Sequence, residues 1–171
     1  RYADDCNIYV RSERAGLRVM ESISRFIIRK LKLKVNTAKS AVARPQERSF
    51  LGFSFTGGRT LKRRISPKAL ARFRRRIRVL TRRHRGISLC EMAEQVSVYL
   101  RGWQNYYGFC QTPSVLRHLD SWIRRRLRCV IWKQWKRGRT RFKELRSRGV
   151  LKDTAAMIAG SPHGPWQLSL S

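Results

Sequence analysis

Two adjacent carboxylates, Asp4 and Asp5, are the side chains of this sequence best suited to chemistry, because they stand in a strongly basic chain. The 171 residues include 40 Lys or Arg and 10 Asp or Glu, which gives a formal net charge of +30. Paired carboxylates can hold divalent metal where a polyphosphate comes close, and two-metal phosphoryl transfer uses ions roughly 4 Å apart. Asp-Asp is also a favourable turn dipeptide. Taken alone, residues 2–5 are consistent with two interpretations, a metal site and a surface turn.

The charge balance indicates the class of partner. A net charge of +30 makes polyanions the expected ligands. Arg outnumbers Lys by 30 to 10, and Arg is suited to forked phosphate contacts and to stacking on bases. With 42% hydrophobic and 10% aromatic residues, the chain is predicted to fold rather than to form a disordered basic tail. No apolar run approaches the roughly 18 residues of a membrane helix. The sequence therefore predicts a nucleic-acid-binding protein without a membrane partner.

The cysteines exclude two further classes. Cys6, Cys90, Cys110 and Cys129 include no Cys-x-x-Cys pair, so neither a zinc knuckle nor a disulfide framework is indicated. Each is expected to be a small buried thiol of a protein from a reducing compartment.

Basic residues are concentrated in two blocks. Residues 61–86 hold 12 basic and no acidic side chains, and residues 121–149 hold 12 basic and one acidic. Between them, residues 87–120 hold 2 basic and 3 acidic side chains. A basic run is often a solvated face, but one this dense is unfavourable unless a polyanion neutralises it. The predicted nucleic-acid contacts are Arg72, Arg75, Arg76, Arg82, Arg83, Arg124, Arg125, Arg128, Lys133 and Lys136.

The elements that position these residues differ along the chain. The first segment is predicted as α+β, because short β-branched and aromatic runs surround one amphipathic stretch. Ser12 predicts the N-cap of a helix that continues to about Lys30. The acidic pair is expected in a tight turn just ahead of the first strand. Strands are predicted at residues 6–10, 33–35, 40–43 and 50–55, with a closing turn at 56–58.

From Ser66 onward the pattern is helical. Four amphipathic helices are expected to form a small bundle, since each has one apolar face to bury. The predicted starts are Ser66-Pro67, Ser88 and Thr112-Pro113 for the first three, and the predicted stops are Gly86, Lys136 and Gly149. Ser88 and Glu91 have the spacing of a capping box.

Two aromatic groups lie in this helical part. Trp103, Tyr106 and Tyr107 share about one helical face, which favours buried packing. Trp132 and Trp135 stand among basic residues. Two roles are compatible with this position, stacking on nucleic-acid bases and docking of the third helix.

The motifs of the first segment resemble those of group II intron reverse transcriptases, proteins that also act as intron maturases. Tyr2-Ala3-Asp4-Asp5 matches their polymerase signature. Residues 33–40 resemble the segment that carries a lysine behind the active site, and Phe50-Leu51-Gly52-Phe53 resembles the primer-grip hairpin.

The helical part continues the same resemblance. Residues 100–107 are similar to the signature of the maturase, or thumb, domain. Residues 122–136 and 164–169 are similar to stretches that follow this signature. The resemblance therefore spans nearly the whole chain, with its elements in the family's order.

The resemblance implies an RNA-directed DNA polymerase that also binds intron RNA as a splicing maturase. Asp4 would be a ligand of the catalytic Mg²⁺ ions, with Mn²⁺ as the alternative, and Asp5 would complete the same acidic site. Tyr2 and Ala3 would line the meeting point of primer end and incoming nucleotide, and Lys39 would approach its triphosphate. The primer backbone would be gripped by Phe50, Leu51, Gly52 and Phe53.

The family's organisation implies a fold in two parts. Residues 1–60 would be the C-terminal part of a reverse-transcriptase palm with the primer grip, and residues 61–171 an α-helical thumb/maturase bundle that binds intron RNA. The implied partners are intron RNA, an RNA template with its DNA primer, and dNTP. A bacterial cytoplasm is the expected location, with an organelle as the alternative.

One element of the polymerase pattern lies outside this sequence. A two-metal polymerase needs a further aspartate from an earlier strand, and this sequence begins at Arg1. We therefore expect the C-terminal part of a polymerase, inactive by itself and completed by fingers and palm from the same polypeptide. The alternative function is a stand-alone RNA-binding splicing factor whose acidic pair is a relic. A ribosomal-type basic protein is disfavoured by the ordered motifs.

Overall fold

The chain forms two compact units, residues 1–66 and residues 67–171. The structure, a computed structural model, describes residues 2, 5–58 and 60–169. Helices dominate it, and the paired strands of the described residues form a small two-stranded antiparallel sheet. This content agrees with the predicted α+β class.

The first unit contains one long helix, α1 (Glu13–Arg29). Ser12 caps it as predicted, because its Oγ accepts a hydrogen bond from the Ala15 N–H at 3.2 Å. Gly16 is the buried residue of α1, and a Cβ built there would lie 2.7 Å from a methyl carbon of Val42. The absence of a side chain at Gly16 therefore lets the helix approach Val42 closely. A short 3₁₀ turn follows at Pro45–Glu47.

The sheet of the first unit is smaller than predicted. It consists of β1 (Phe53–Phe55) and β2 (Arg63–Ile65), with Phe53 opposite Ile65 and Phe55 opposite Arg63. The strands predicted at 6–10, 33–35 and 40–43 are wrong, since these residues lie outside any strand. Residues rich in β-branched side chains become a strand only where a neighbour completes the hydrogen-bonded ladder. In the described part of the chain no such neighbour pairs with these three segments.

The second unit is helical. Its described elements are α2 (Pro67–Leu80), α3 (Leu89–Tyr107), α4 (Pro113–Gln134), α5 (Gly138–Ser147), α6 (Lys152–Gly160) and α7 (Pro165–Leu168). Ser88 caps α3 by accepting from the Glu91 N–H at 3.1 Å, whereas the Glu91 carboxylate accepts from Gln95 Nε2 at 3.2 Å. The predicted cap at Ser88 is confirmed.

The first helix of this unit ends earlier than predicted. It stops at Leu80 rather than at Gly86. Arg85 explains the early end, because its Nη1 donates to the Leu80 carbonyl at 2.7 Å and its Nη2 donates to Gln95 Oε1 at 2.8 Å. In a longer helix the Leu80 carbonyl would accept a backbone hydrogen bond from within the helix. Here it accepts instead from the Arg85 side chain, which also contacts α3 through Gln95.

The core of the second unit lies between α2, α3 and α4. Its buried side chains are Phe73, Ile77, Leu80, Val96, Leu119 and Ile123. The ring of Phe73 lies 4.3 Å from that of Trp103, and Trp103 lies 4.7 Å from Tyr107. Trp103 and Tyr107 pack inward as predicted, while Tyr106 is exposed. The apolar side of α2 therefore packs against α3 and α4, and the opposite side of α2 is exposed to solvent.

The four cysteines differ in exposure. Cys110 and Cys129 are buried as predicted, but the prediction is wrong for Cys6 and Cys90, which are exposed.

Within the described ranges, no helix combines the length and the apolar character that crossing a membrane requires.

Candidate nucleic-acid interface

The solvent side of α2 and the turn after it carry a dense set of cations. The apolar positions Ala69, Phe73, Ile77 and Leu80 point inward, so the intervening positions face water at a period of 3.6 residues. We name the following exposed side chains the α2 basic face: Lys68, Arg72, Arg74, Arg75, Arg76, Arg78, Arg82 and Arg83. The ion pairs among the described residues involve none of them. From Lys68 to Arg78 the face therefore extends for about 15 Å along the helix without a compensating carboxylate.

On one side of this face, α4 contributes Arg126. Its Nε donates to Thr81 Oγ1 at 2.7 Å, and its Nη2 lies 3.4 Å from the Thr81 carbonyl oxygen. The Trp122 ring lies 5.4 Å from the Arg126 guanidinium carbon and 5.9 Å from that of Arg78. Burial, and then the positive charge of Arg78, lower the pKa of Arg126 from its usual value, with a smaller lowering by Arg83, while Cys129 opposes the shift. The guanidinium groups of Arg78 on α2 and Arg126 on α4 thus meet at the Trp122 ring, and the charge of Arg83, which follows α2, acts on Arg126 as well.

On the other side, α3 contributes Tyr99. Its ring stacks on Phe73 with a centroid separation of 5.7 Å. Burial raises the pKa of the Tyr99 hydroxyl above 10.0, while the nearby positive charges of Arg76 and Arg72 oppose this shift. The phenol therefore stays protonated at neutral pH and can donate a hydrogen bond beside two guanidinium groups. Such a set of donors matches the oxygens of a phosphate.

The predicted contacts of the first basic block lie together. Arg72, Arg75 and Arg76 project from α2, and Arg82 and Arg83 follow it, all exposed. The predicted contacts do not include Lys68, Arg74 and Arg78, which also belong to the α2 basic face, or Arg126 beside it. The four-residue spacing of Arg126 from Trp122 is the signal that could have identified it.

The predicted contacts of the second basic block are more dispersed. Arg124 pairs with Asp120 at 2.8 Å on the exposed side of α4. Arg128 is exposed on the same helix, Lys133 is exposed in its last turn, and Lys136 is exposed just after it. The structure therefore does not gather this block into one cluster as it does the α2 basic face.

Arg125 is engaged in a contact with the C-terminal helix. Its guanidinium carbon lies 3.9 Å from the centre of the Trp166 ring. Its Nη2 donates to the Trp166 carbonyl at 3.1 Å. These contacts join α7 to α4, so the side chain has a packing role in the structure.

The two tryptophans at the end of α4 dock α5. Trp132 is buried, and its ring meets that of Trp135 edge to face at 5.5 Å. Arg141 of α5 lies over Trp132 at 5.9 Å and donates from Nε to the Trp135 carbonyl at 2.9 Å, and Arg148 lies over Trp135 at 4.8 Å. Of the two interpretations left open by the sequence, helix docking agrees with these contacts.

The acidic segment of the first unit lies on the surface. The backbones of Tyr2 and Asp5 exchange two N–H···O hydrogen bonds of 2.9 Å, and both residues are exposed. Ala3 and Asp4, predicted to line and to form the metal site, lie outside the described residues. Lys39 is exposed, and its backbone N–H donates to Asn36 Oδ1 at 3.2 Å. No group of three or more potential metal ligands occurs in the ranges that the structure describes.

The predicted primer-grip residues form a tight turn that leads into β1. Phe50 and Phe53 exchange backbone hydrogen bonds of 2.8 and 2.9 Å. Between them, Leu51 has φ 51° and Gly52 has φ 78°. Positive φ at both central residues is the signature of a two-residue type I′ hairpin turn. Phe50-Leu51-Gly52-Phe53 therefore forms a tight turn with a leucine in the left-handed region. The strand predicted at 50–55 is wrong for residues 50–52, because it begins only at Phe53.

A helical bundle with an uncompensated basic face has the features of a nucleic-acid-binding domain. Residues 70–149, from α2 to just after α5, match the family model described as the group II intron maturase-specific domain. The resemblance to group II intron maturases that the sequence indicated is therefore confirmed over residues 70–149, which lie within the second unit. No curated protein matched the chain.

Proposed function

We propose that this protein binds group II intron RNA through the α2 basic face and thereby assists the intron to fold for splicing. The observation that carries the proposal is the position of this face inside the maturase-specific domain. Residues 70–149 contain most of its cations, and the ion pairs of the described residues leave all of them available.

The physical argument is electrostatic. Like charges crowded on one helix repel each other, and water and small ions screen this repulsion only in part. An RNA backbone replaces those small ions, and their release favours the complex. Tyr99, Arg72 and Arg76 add hydrogen-bond donors that can fix the position of a phosphate on the face.

The test is the affinity of the full chain for a group II intron transcript as a function of salt. We expect a steep linear fall of log affinity with log salt, with a slope of about −0.9 for each phosphate neutralised on a duplex. Splicing of the same transcript is followed at a magnesium concentration too low for unaided folding, where the protein should accelerate it. An affinity that barely changes between low and moderate salt would contradict the proposal.

We propose RNA-directed DNA synthesis as a second activity, to which the first unit contributes. It is supported by the resemblance of residues 2–5 to the polymerase signature, by the backbone hydrogen bonds between Tyr2 and Asp5, and by the type I′ turn at Phe50–Phe53. The partners would be an RNA template with its DNA primer and dNTP, together with fingers and palm of the same polypeptide. The described carboxylates do not form a complete magnesium centre.

Metal binding provides the test of this second activity. Mn²⁺ titration of the full chain, followed by electron paramagnetic resonance, should detect weak binding that Asp4→Asn abolishes. Asp120→Asn is the matched control, because Asp120 is an exposed carboxylate in an ion pair on α4. Identical Mn²⁺ binding by the wild type and by Asp4→Asn would contradict the polymerase proposal and leave the RNA-binding proposal intact.

A further inference from the structure

Arg78, Arg83 and Arg126 form a cluster of like charges. Arg78 belongs to α2, Arg83 follows it, and Arg126 belongs to α4. None of the three forms an ion pair with a carboxylate in the described part of the chain. We name these three residues the Arg78–Arg126 cluster.

Neighbouring side chains hold this cluster in place. Arg126 uses one edge of its guanidinium, Nε and Nη2, on Thr81, which is 1% exposed. The Trp122 ring lies within 6 Å of the guanidinium carbons of both Arg126 and Arg78, at a distance typical of cation–π contacts. The Arg126 side chain is therefore fixed before any ligand arrives, and this lowers the entropy lost on binding.

The outer edge of the Arg126 guanidinium is left for a ligand. No described residue accepts a hydrogen bond from Nη1. Arg78 and Arg83 are exposed. Arg78 shares the Trp122 ring with Arg126, and the positive charge of Arg83 acts on Arg126. The direction of the Arg126 pKa shift, downward through burial and the two neighbouring charges, agrees with a site that lacks an anion. Several N–H donors from planar guanidinium groups suit a tetrahedral oxyanion better than chloride, which offers no separate acceptor oxygens.

We propose that the Arg78–Arg126 cluster is a phosphate site that takes one backbone phosphate of the bound RNA between α2 and α4. This inference rests on the proposed RNA-binding function and assigns one of its contacts. Because the phosphate would neutralise repulsion between two helices, binding there also stabilises the packing of α2 on α4. Bound RNA would then make the bundle more stable as well as occupy its surface.

The first experiment uses inorganic phosphate as the probe and thermal unfolding of the full chain as the measurement. At constant ionic strength, replacing chloride by about 10 mM phosphate should raise the Tm by an amount on the order of 5 °C, in a saturable manner. The double variant Arg78→Gln/Arg83→Gln should lose this rise. It keeps the Arg126–Thr81 hydrogen bonds, so it is expected to fold. Arg74→Gln/Arg75→Gln removes the same amount of charge from the same basic face and should retain the rise.

Two results would overturn the inference. One is the absence of any Tm rise with phosphate in the wild type. The other is an equal rise in the wild type and both double variants, which would mean general ion stabilisation rather than a site.

The second experiment separates an RNA phosphate from a free phosphate as the natural ligand. The affinity of the full chain for the intron transcript should fall roughly tenfold more in Arg78→Gln/Arg83→Gln than in Arg74→Gln/Arg75→Gln, since charge-assisted hydrogen bonds are lost as well as charge. Equal losses in the two variants would refute an RNA contact at the cluster but leave RNA binding by the α2 basic face standing. A wild type whose affinity is independent of salt would instead refute the proposed function itself.

Discussion

Removing three cations from the α2 basic face should change the salt dependence of RNA binding by a predictable amount. The perturbation is the triple variant Arg72→Gln/Arg75→Gln/Arg76→Gln, whose three side chains are exposed. If each of the eight cations of the face neutralises one duplex phosphate, the slope of log affinity against log salt is about −7. The triple variant then has a slope of about −4.5.

These slopes translate into measurable affinities. Between about 50 and 200 mM salt, the wild type should lose roughly 10⁴-fold in affinity and the triple variant only about 500-fold. Fluorescence anisotropy of a labelled intron transcript, titrated at four salt concentrations, measures both slopes directly.

The control variant removes the same charge elsewhere. Arg14→Gln/Arg18→Gln/Arg29→Gln changes three exposed residues on or at the end of α1, in the other unit. It should keep a slope close to that of the wild type. If both triple variants reduced the slope equally, net charge rather than the α2 basic face would determine binding, and the reasoning would be refuted.

Three predictions concern stability. Because the pKa of Tyr99 is raised in the folded protein, the protonated phenol contributes stability that is fully present below pH 10.0 and is lost as the pH rises through the higher folded pKa. The free energy of unfolding, measured in urea between pH 9 and pH 11, should therefore fall less in Tyr99→Phe than in the wild type or in the Tyr106→Phe control. Phe73→Ala should lower the free energy of unfolding by about 3–5 kcal/mol, because Phe73 is 1% exposed at the centre of the core; a change below about 1 kcal/mol in the same assay would contradict this packing. Leu51→Asn should raise the free energy of unfolding of the first unit by about 1 kcal/mol, since Asn tolerates positive φ better than Leu; a loss of stability would show that the leucine side chain contributes more than its backbone strain costs.

Local signals in the sequence were sufficient for the main helices. Ser12 and Ser88 cap α1 and α3 as their positions predicted, since a helix start depends on residues within one turn. The end of α2 was predicted wrongly, because it depends on Arg85, which bonds to Gln95 on the next helix as well as to Leu80. The short helix α6 was not predicted, as its sequence lacks a strong apolar stripe.

Features that depend on distant residues could not be predicted. A strand exists only with a partner, so the β-branched content of residues 6–10 was an insufficient signal. The position of Arg126 is set by Thr81, 45 residues earlier. The position of Arg125 is set by Trp166, 41 residues later. The basic block was therefore predictable as a block, whereas the division of its arginines between RNA contact and packing required the structure.

Arginine footprinting of the full chain, with and without intron RNA, would show directly whether the RNA binds to the α2 basic face. Phenylglyoxal modification, quantified by mass spectrometry, reports the accessibility of each arginine. The α2 basic face predicts that bound RNA protects Arg72, Arg75 and Arg82 strongly, while Arg139, exposed on α5, remains reactive. Protection of Arg139 with unchanged reactivity on α2 would place the RNA elsewhere and contradict the account.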